Sequence, residues 1–260
     1  MNIRAKCICT SGILFRTVAM ALLAGAAQAQ ESRSSGSFSL NQDVFFGFYP
    51  QVNGSYKQND RLDWTYYGIF WTTPSFGTGG GGGLWTEFGG GVNLKAWEGR
   101  LQFNPQLGVL NGKLLSNGSF PMALEGVVPN FTVNADAARV EGQFYLGYYL
   151  AARKGKAPAA GGGGLVTVPV QNNFVHWWSN GGWKASSMIS VGLHYEALFS
   201  NPSGTNPPAS GHVYRWLGPY VQASLPARVT VRFTAGSDVT NRPASNGTDS
   251  FYKLTAAYRF

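Results

Sequence analysis

Apolar and polar residues alternate with a period of two along most of the chain. The clearest run is residues 183–198. Its odd positions carry Trp183, Ile189, Val191, Leu193, Tyr195 and Ala197, and its even positions carry Lys184, Ser186, Ser190, His194 and Glu196. Successive side chains of a strand point to opposite faces, so this run predicts a β-strand with one apolar and one polar face. Residues 84–96, 100–109, 139–150, 228–238 and 250–260 divide in the same way. Residues 43–53 and 127–135 follow the pattern more softly, and 63–72 and 212–225 carry aromatics on both faces, which leaves their parity open. Clusters of Gly, Pro, Asn and Ser separate the runs, as turns require. The expected total is ten strands.

Composition decides what surrounds those strands. The 260 residues include 35 Gly, and only 12% are charged, against roughly 7% Gly and about 25% charged in an average soluble domain. There is no G-X-Y repeat, and the 14% aromatic content argues against disorder. Downstream of residue 29 no apolar run is long enough for a membrane helix. The runs are long for a soluble sandwich, whose strands average about five or six residues. They suit tilted membrane strands, which need roughly nine to eleven. The polar face is rich in Gly, Asn, Gln, Ser and Thr. The expected fold is therefore all-β, a transmembrane antiparallel β-barrel with its apolar face toward lipid and its polar face toward a wet lumen. Closure also removes the strand edges that hydrocarbon cannot satisfy.

The N-terminus carries a different signal. Arg4, Lys6 and Arg16 precede or flank a short apolar stretch at 17–27, and Ala27-Gln28-Ala29 fits an A-x-A cleavage site. Residues 1–29 read as a secretory signal peptide and 30–260 as a single barrel domain. Cys7 and Cys9 fall before the apolar stretch, so the mature chain is expected to lack thiols, disulfides and Cys-bound metal. Losing Arg4, Lys6 and Arg16 lowers the formal charge from +8 to +5. No basic run suggests nucleic acid as a partner.

The last run ends Tyr258-Arg259-Phe260, with Ala256, Leu254 and Tyr252 alternating before it. This ending resembles the assembly signal of Gram-negative outer-membrane β-barrels. The resemblance implies residence in the bacterial outer membrane, contact with outer-membrane lipid and lipopolysaccharide, and handling by the barrel-assembly machinery through Tyr258 and Phe260. Leu84-Trp85-Thr86-Glu87-Phe88, followed by Val92-Asn93-Leu94, resembles the early strands of nucleoside-specific outer-membrane channels. The rest of the chain offers no motif that aligns with that family, and an uncharacterised small-barrel family is the alternative.

With both termini in the periplasm, ten strands make 225–228 a short periplasmic turn and 201–211 and 238–249 external loops. The same count puts the tight 97–100 connection outside, and 73–83 and 154–182 in the periplasm. The last stretch is long for a periplasmic turn. Its segments 165–171 and 174–179 offer another hairpin, so twelve strands is the alternative, with a lumenal plug or interfacial segment as a further one.

Strand parity places Asp43, Glu87, Glu141, Glu196 and Asp238 in the lumen, with Lys95, Arg100, Arg139, Lys184, Arg228, Arg232, Lys253 and Arg259. Position along the runs puts Lys95, Arg100, Arg139, Glu141, His194, Glu196 and Lys253 toward the external mouth and Arg232 near mid-depth. These charges suit either an ion-pair network filling a narrow barrel or a selectivity lining with a slight anion preference. Tyr49, Tyr145 and Tyr149 share the lumenal face and offer rings for stacking.

The expected function is a narrow passive channel for small polar solutes. A closed barrel with a structural or surface-interaction role is the alternative, and an outer-membrane lipid-modifying enzyme comes third. For the third, His176-Trp177-Trp178-Ser179-Asn180 resembles the His-x-Ser-Asn motif of outer-membrane lipid A deacylases, with one Trp too many. On a strand, positions three apart face opposite ways, so His176 could not serve Ser179 as a base. No catalytic residue is assigned. His194 and Glu196 share a face, but further ligands are missing, so no metal or cofactor is expected. The glycine runs at 80–83 and 161–164 lack the Lys-Ser/Thr of a phosphate loop and read as flexible connections.

Overall fold

In the computed structural model the described residues are 33–71, 85–240 and 249–260. The expected signal peptide, both cysteines, and the 73–83 connection lie outside them. The strands in chain order are β1 (Ser34–Asp43), β2 (Gly47–Lys57), β3 (Leu62–Trp71), β4 (Trp85–Ala96), β5 (Leu101–Gly112), β6 (Met122–Asp136) and β7 (Val140–Ala151). Four short strands follow, β8 (Lys156–Pro158), β9 (Leu165–Thr167), β10 (Val170–Gln171) and, further on, β13 (Ser203–Gly204). The remaining long ones are β11 (Phe174–Lys184), β12 (Ile189–Ser200), β14 (Gly211–Leu225), β15 (Val229–Asp238) and β16 (Ser250–Arg259). The twelve long strands close into one barrel, each hydrogen-bonded to its neighbours in the chain, with β1 pairing β16.

Twelve strands, not ten, is therefore the outcome. The two extra strands come from hairpins that alternation alone had fused. Residues 43–53 contain the end of β1, a turn at 44–46 and half of β2, and residues 183–198 contain the end of β11, a turn at 185–188 and β12. Both turns preserve parity: Asp43 and Tyr49 lie on one face, and Trp183 and Ile189 both point outward. A hairpin of that kind reads as one unbroken run.

The corrected count also rearranges the ends. The tight turns at 58–61, 97–100, 137–139, 185–188 and 226–228 all lie at the end that carries both strand termini, Ser37 opposite Arg259. The 113–121, 152–173 and 201–210 connections lie at the other end, together with the short β1–β2 turn. The 97–100 connection and the 154–173 stretch are thus on the sides opposite to those expected from ten strands. Residues 165–171 form short strands outside the barrel, while 174–182 belong to β11. The 97–100 turn is made by three residues in the left-handed region, Trp97, Glu98 and Gly99.

The outer wall is apolar. Trp64, Phe88, Leu107, Leu146, Leu193, Val221 and Phe233 are all strongly exposed although each sits mid-strand. Their polar neighbours Asp63, Glu87, Asn130, Asn180, His194 and Glu196 are buried. This is the inversion of a water-soluble protein, and it is what a lipid-facing barrel requires.

Two glycine troughs shape the inner wall. Tyr67 on β3, Gly89 on β4 and Gly108 on β5 are aligned in register. The Tyr67 ring lies flat across both glycines, its hydroxyl donates to Glu87 Oε1 at 2.6 Å, and Asn130 on β6 donates to that hydroxyl at 2.8 Å. Tyr220 on β14 repeats the arrangement over Gly192 and Gly182 and donates to Glu141 on β7 at 2.8 Å. A Cβ on Gly108 would stand 2.2 Å from the Tyr67 hydroxyl oxygen and 2.9 Å from Glu87 Oε1. Only a residue with no side chain lets the tyrosine lie down.

Gly108→Ala is therefore expected to lift Tyr67 off Glu87 and destabilise the barrel by about 1–3 kcal/mol, as overpacking does. Gly181→Ala, where a Cβ meets nothing within 4 Å, is expected to leave stability unchanged. Urea unfolding of both variants in lipid vesicles, followed by Trp fluorescence, checks the contrast.

Candidate functional site: the barrel lumen

The lumen has two halves of different character. At the long-loop end it is apolar and packed. Trp71, Trp85, Leu110, Leu115, Val128 and Tyr149 form one buried cluster, and Leu198, Tyr214, Trp216 and Phe251 form another. Phe46 and Phe174 pack against both. Phe46 comes from the β1–β2 turn, whose Val44-Phe45-Phe46 sequence folds inward. Asp43 holds it there, its Oδ1 accepting from the Phe45 and Phe46 backbone N–H groups at 2.9 and 2.6 Å. The Phe46 ring then reaches Trp71 on β3 at 6.4 Å and His176 on β11 at 5.6 Å, which makes this a constriction of the lumen. Leu115 is fixed similarly, because the buried Glu125 carboxylate accepts from the backbone of Leu115 and Ser116 and from the Ser116 hydroxyl.

Beneath that constriction sits a charged hub. Glu196 is fully buried. Its carboxylate accepts from the Tyr214 hydroxyl at 2.8 Å, His176 Nε2 at 2.9 Å, His194 Nε2 at 3.1 Å and Lys253 Nζ. A carboxylate offers about four lone-pair sites, so these donors saturate it. His194 also meets Asn180 through Nδ1. The hub ties β11, β12, β14 and β16 together.

The short-turn half is polar and wet. Gln102, Asn134, Gln143 and Asn180 oppose one another in register across β5, β6, β7 and β11. Asn41, Thr255, Arg232, Gln222 and Ser190 form a second row across β1, β16, β15, β14 and β12. Thr65 on β3 and Asn93 on β4 add further polar groups, Asn93 opposite Asp63. Most of these side chains bond to each other, as in Gln143 to Asn134 at 2.9 Å, Thr65 to Asn104 at 3.0 Å and Asn93 to Gln102 at 3.0 Å. Gln102, Gln143, Gln222 and Thr255 point inward yet stay partly exposed, so solvent reaches the lumen at this level. At the rim, Arg139, Glu141, Lys184, Ser190 and Ser224 line a cavity of about 540 Å³.

Charges inside this half come in pairs. Lys95 meets Asp63 at 2.7 Å, Arg232 meets Glu141 at 3.4 Å, and Lys184 meets Asp136. The Arg232 guanidinium also lies 4.4 Å from the centre of the Tyr220 ring, over its face. Two aromatic rings border the wet half: Trp178 and Tyr145 stack at 3.9 Å, and the Trp178 indole N–H donates to Gln143.

The sequence-derived candidates distribute as follows. Glu87, His194, Glu196 and Lys253 face the lumen in its long-loop half. Lys95, Glu141 and Arg232 face it near the short turns, so Lys95 and Glu141 lie at the end opposite to that expected, and Arg232 lies below mid-depth. Arg100 and Arg139 are not in the lumen. Both are exposed in short turns, Arg100 beside Glu98 at 3.6 Å and Arg139 at the cavity rim. Arg228 and Arg259 are likewise exposed, whereas Asp238 lies near the long-loop end and accepts from Thr240. Tyr49, Tyr145 and Tyr149 face inward. Tyr258 and Phe260 are exposed on the outside at the short-turn end, Phe260 paired with Gly36. His176 is buried on the inner face of β11 and Ser179 is exposed on the outer, so the two share no site.

Sequence reasoning missed the turn at 44–46, and with it Phe46 as a lumen element, because it took those residues as part of a strand. It missed Tyr67 and Tyr220 because the parity of 63–72 and 212–225 was left open and their role depends on glycines of the next two strands.

The family described as "Family of unknown function (DUF6733)" matches residues 5–260. No curated protein matches the chain in sequence. Among solved structures, the NanC porin is similar at a TM-score of 0.50 with 8% identity, over 86% of this chain and 98% of that one. An outer membrane channel from Pseudomonas putida F1 is similar at 0.49 with 9% identity, over 87% of this chain and 95% of that one. At 8% identity the likeness to the NanC porin speaks to fold, and the chain has the fold of an outer-membrane β-barrel.

Glu196→Ala is expected to strand His176, His194, Tyr214 and Lys253 around a void and to cost about 3–5 kcal/mol, as the loss of one partner from a buried ion pair does. Glu196→Gln, which keeps the shape and some of the bonds, is expected to cost less. Vesicle unfolding curves for the two variants provide the comparison.

Proposed function

The chain belongs to that family of unknown function, and for it we propose a narrow passive channel for small polar solutes in the bacterial outer membrane. One observation carries the reading: polar side chains from all twelve strands turn inward, and in the short-turn half Gln102, Gln143, Gln222 and Thr255 remain in contact with solvent inside a wall that is apolar outside. A structural barrel has no need for a solvated lumen, whereas a channel does. The short turns and both strand termini belong on the periplasmic side and the long loops outside. Lipid and lipopolysaccharide cover the exposed Trp, Phe and Leu of the outer wall.

Passage is then controlled where Phe46 spans the lumen between Trp71 and His176. The reading requires no chemical step and assigns none. His176 holds Glu196 in place, and Ser179 faces lipid.

In a planar bilayer, the refolded protein is expected to give small, discrete conductance steps. Phe46→Ala, which removes the ring bridging the two apolar clusters, is expected to give larger ones. A protein that is folded by its resistance to unfolding in the gel yet electrically silent, with Phe46→Ala silent as well, overturns the channel.

A further inference from the structure

We propose that the solutes this lumen selects are neutral polyhydroxylated molecules, sugars and sugar alcohols, in preference to ions. The inference rests on the channel reading above and specifies its substrate class. Three observations lead to it.

The first is the chemistry of the wet half. Its wall is built largely from side-chain amides and hydroxyls, with Gln102, Asn134, Gln143 and Asn180 aligned across neighbouring strands. Each amide both donates and accepts, and has more hydrogen-bonding sites than its neighbours use. A hydroxyl-rich solute can exchange its water for such groups one by one without meeting a fixed charge.

The second is that the charges of the wet half cancel locally, while the carboxylates of the long-loop half, Asp43, Glu87 and Glu125, are held by neutral hydrogen-bond donors. Asp63 neutralises Lys95, Glu141 neutralises Arg232, Asp136 neutralises Lys184 and Glu196 neutralises Lys253. An ion-selective pore presents a ring of one sign, and the wet half of this lumen presents pairs. Arg139, Arg228 and Arg259 are exposed at the short-turn end, where salt screens them beyond about 8 Å.

The third is aromatic. Trp178 and Tyr145 stack at 3.9 Å and stay only half-buried at the upper edge of the amide lining. Such rings take the C–H face of a sugar while amides take its hydroxyls. Above them, the buried indole N–H groups of Trp71, Trp85 and Trp216 have no hydrogen-bond partner among the described residues.

The test is osmotic swelling of liposomes carrying the full refolded protein, with size-matched solutes: glucose, the gluconate anion and the glucosamine cation. Glucose is expected to enter faster than both charged solutes. Trp178→Ala is expected to slow glucose by about three- to tenfold, the worth of a lost ring contact, and to leave the ions unchanged, with Trp178→Phe restoring most of the glucose rate. Asp63→Asn, which keeps the bond to Lys95 and removes the balancing charge, is expected to shift the reversal potential toward anion selectivity. Equal entry of all three solutes, or a preference of the unaltered protein for either ion, overturns the sugar inference and leaves the channel standing. No entry of any solute, together with silence in the planar bilayer, overturns the channel and the inference with it.

Discussion

Everything inside this barrel follows from the loss of the outer surface to lipid. Hydrocarbon accepts neither unpaired backbone nor charged side chains, so the strands close on themselves and turn their polar residues inward. With the wall taken by Trp64, Phe88, Leu193 and Phe233, the lumen must hold the strands' buried charges, and it satisfies them with ion pairs or hydrogen-bond donors. The Glu196 hub, the Asp63–Lys95 pair and the Glu141–Arg232 pair are that requirement met three times.

The two halves of the lumen meet it differently. Near the long loops the space is filled, because the inward Phe45-Phe46 turn and Leu115 bring apolar groups to a lumen already rich in Trp and Tyr. Near the short turns the side chains are amides that bond to their strand neighbours and lie along the wall, which leaves room for water. Glycine contributes as much as any polar residue. By letting Tyr67 and Tyr220 lie flat over neighbouring strands, Gly89, Gly108, Gly182 and Gly192 convert two bulky rings from obstacles into lining. The same tyrosines bridge strands that are not adjacent, so the device that clears the lumen also braces it.

Much of this was legible in the sequence, and the failures have a common cause. Alternation is local: a residue's face depends only on its parity within a strand. Lys95, Glu87, Glu141, His194, Glu196, Arg232 and Lys253 were assigned to the lumen on that ground, and the structure places them there. Arg100 and Arg139 are exceptions because they stand at strand ends, where parity gives way to turn geometry. Depth along the barrel was inverted for Lys95 and Glu141 because one missed turn at 44–46 reverses the direction of every strand after it. The second missed turn, at 185–188, restores the direction, which is why His194, Glu196 and Lys253 sit at the expected end.

By itself, then, the sequence determined the class of fold, the apolar and polar faces of most strands, and the residue types available to the lumen, since each depends on period two and composition. Tertiary structure decided the number of strands, which end each residue faces, and which side chains meet. Those depend on closure and register, and residues far apart in the chain settle them: Tyr67 finds Asn130, Arg232 finds Glu141, and Phe46 finds both Trp71 and His176. No local pattern encodes such pairings, because each becomes defined only when β1 closes on β16.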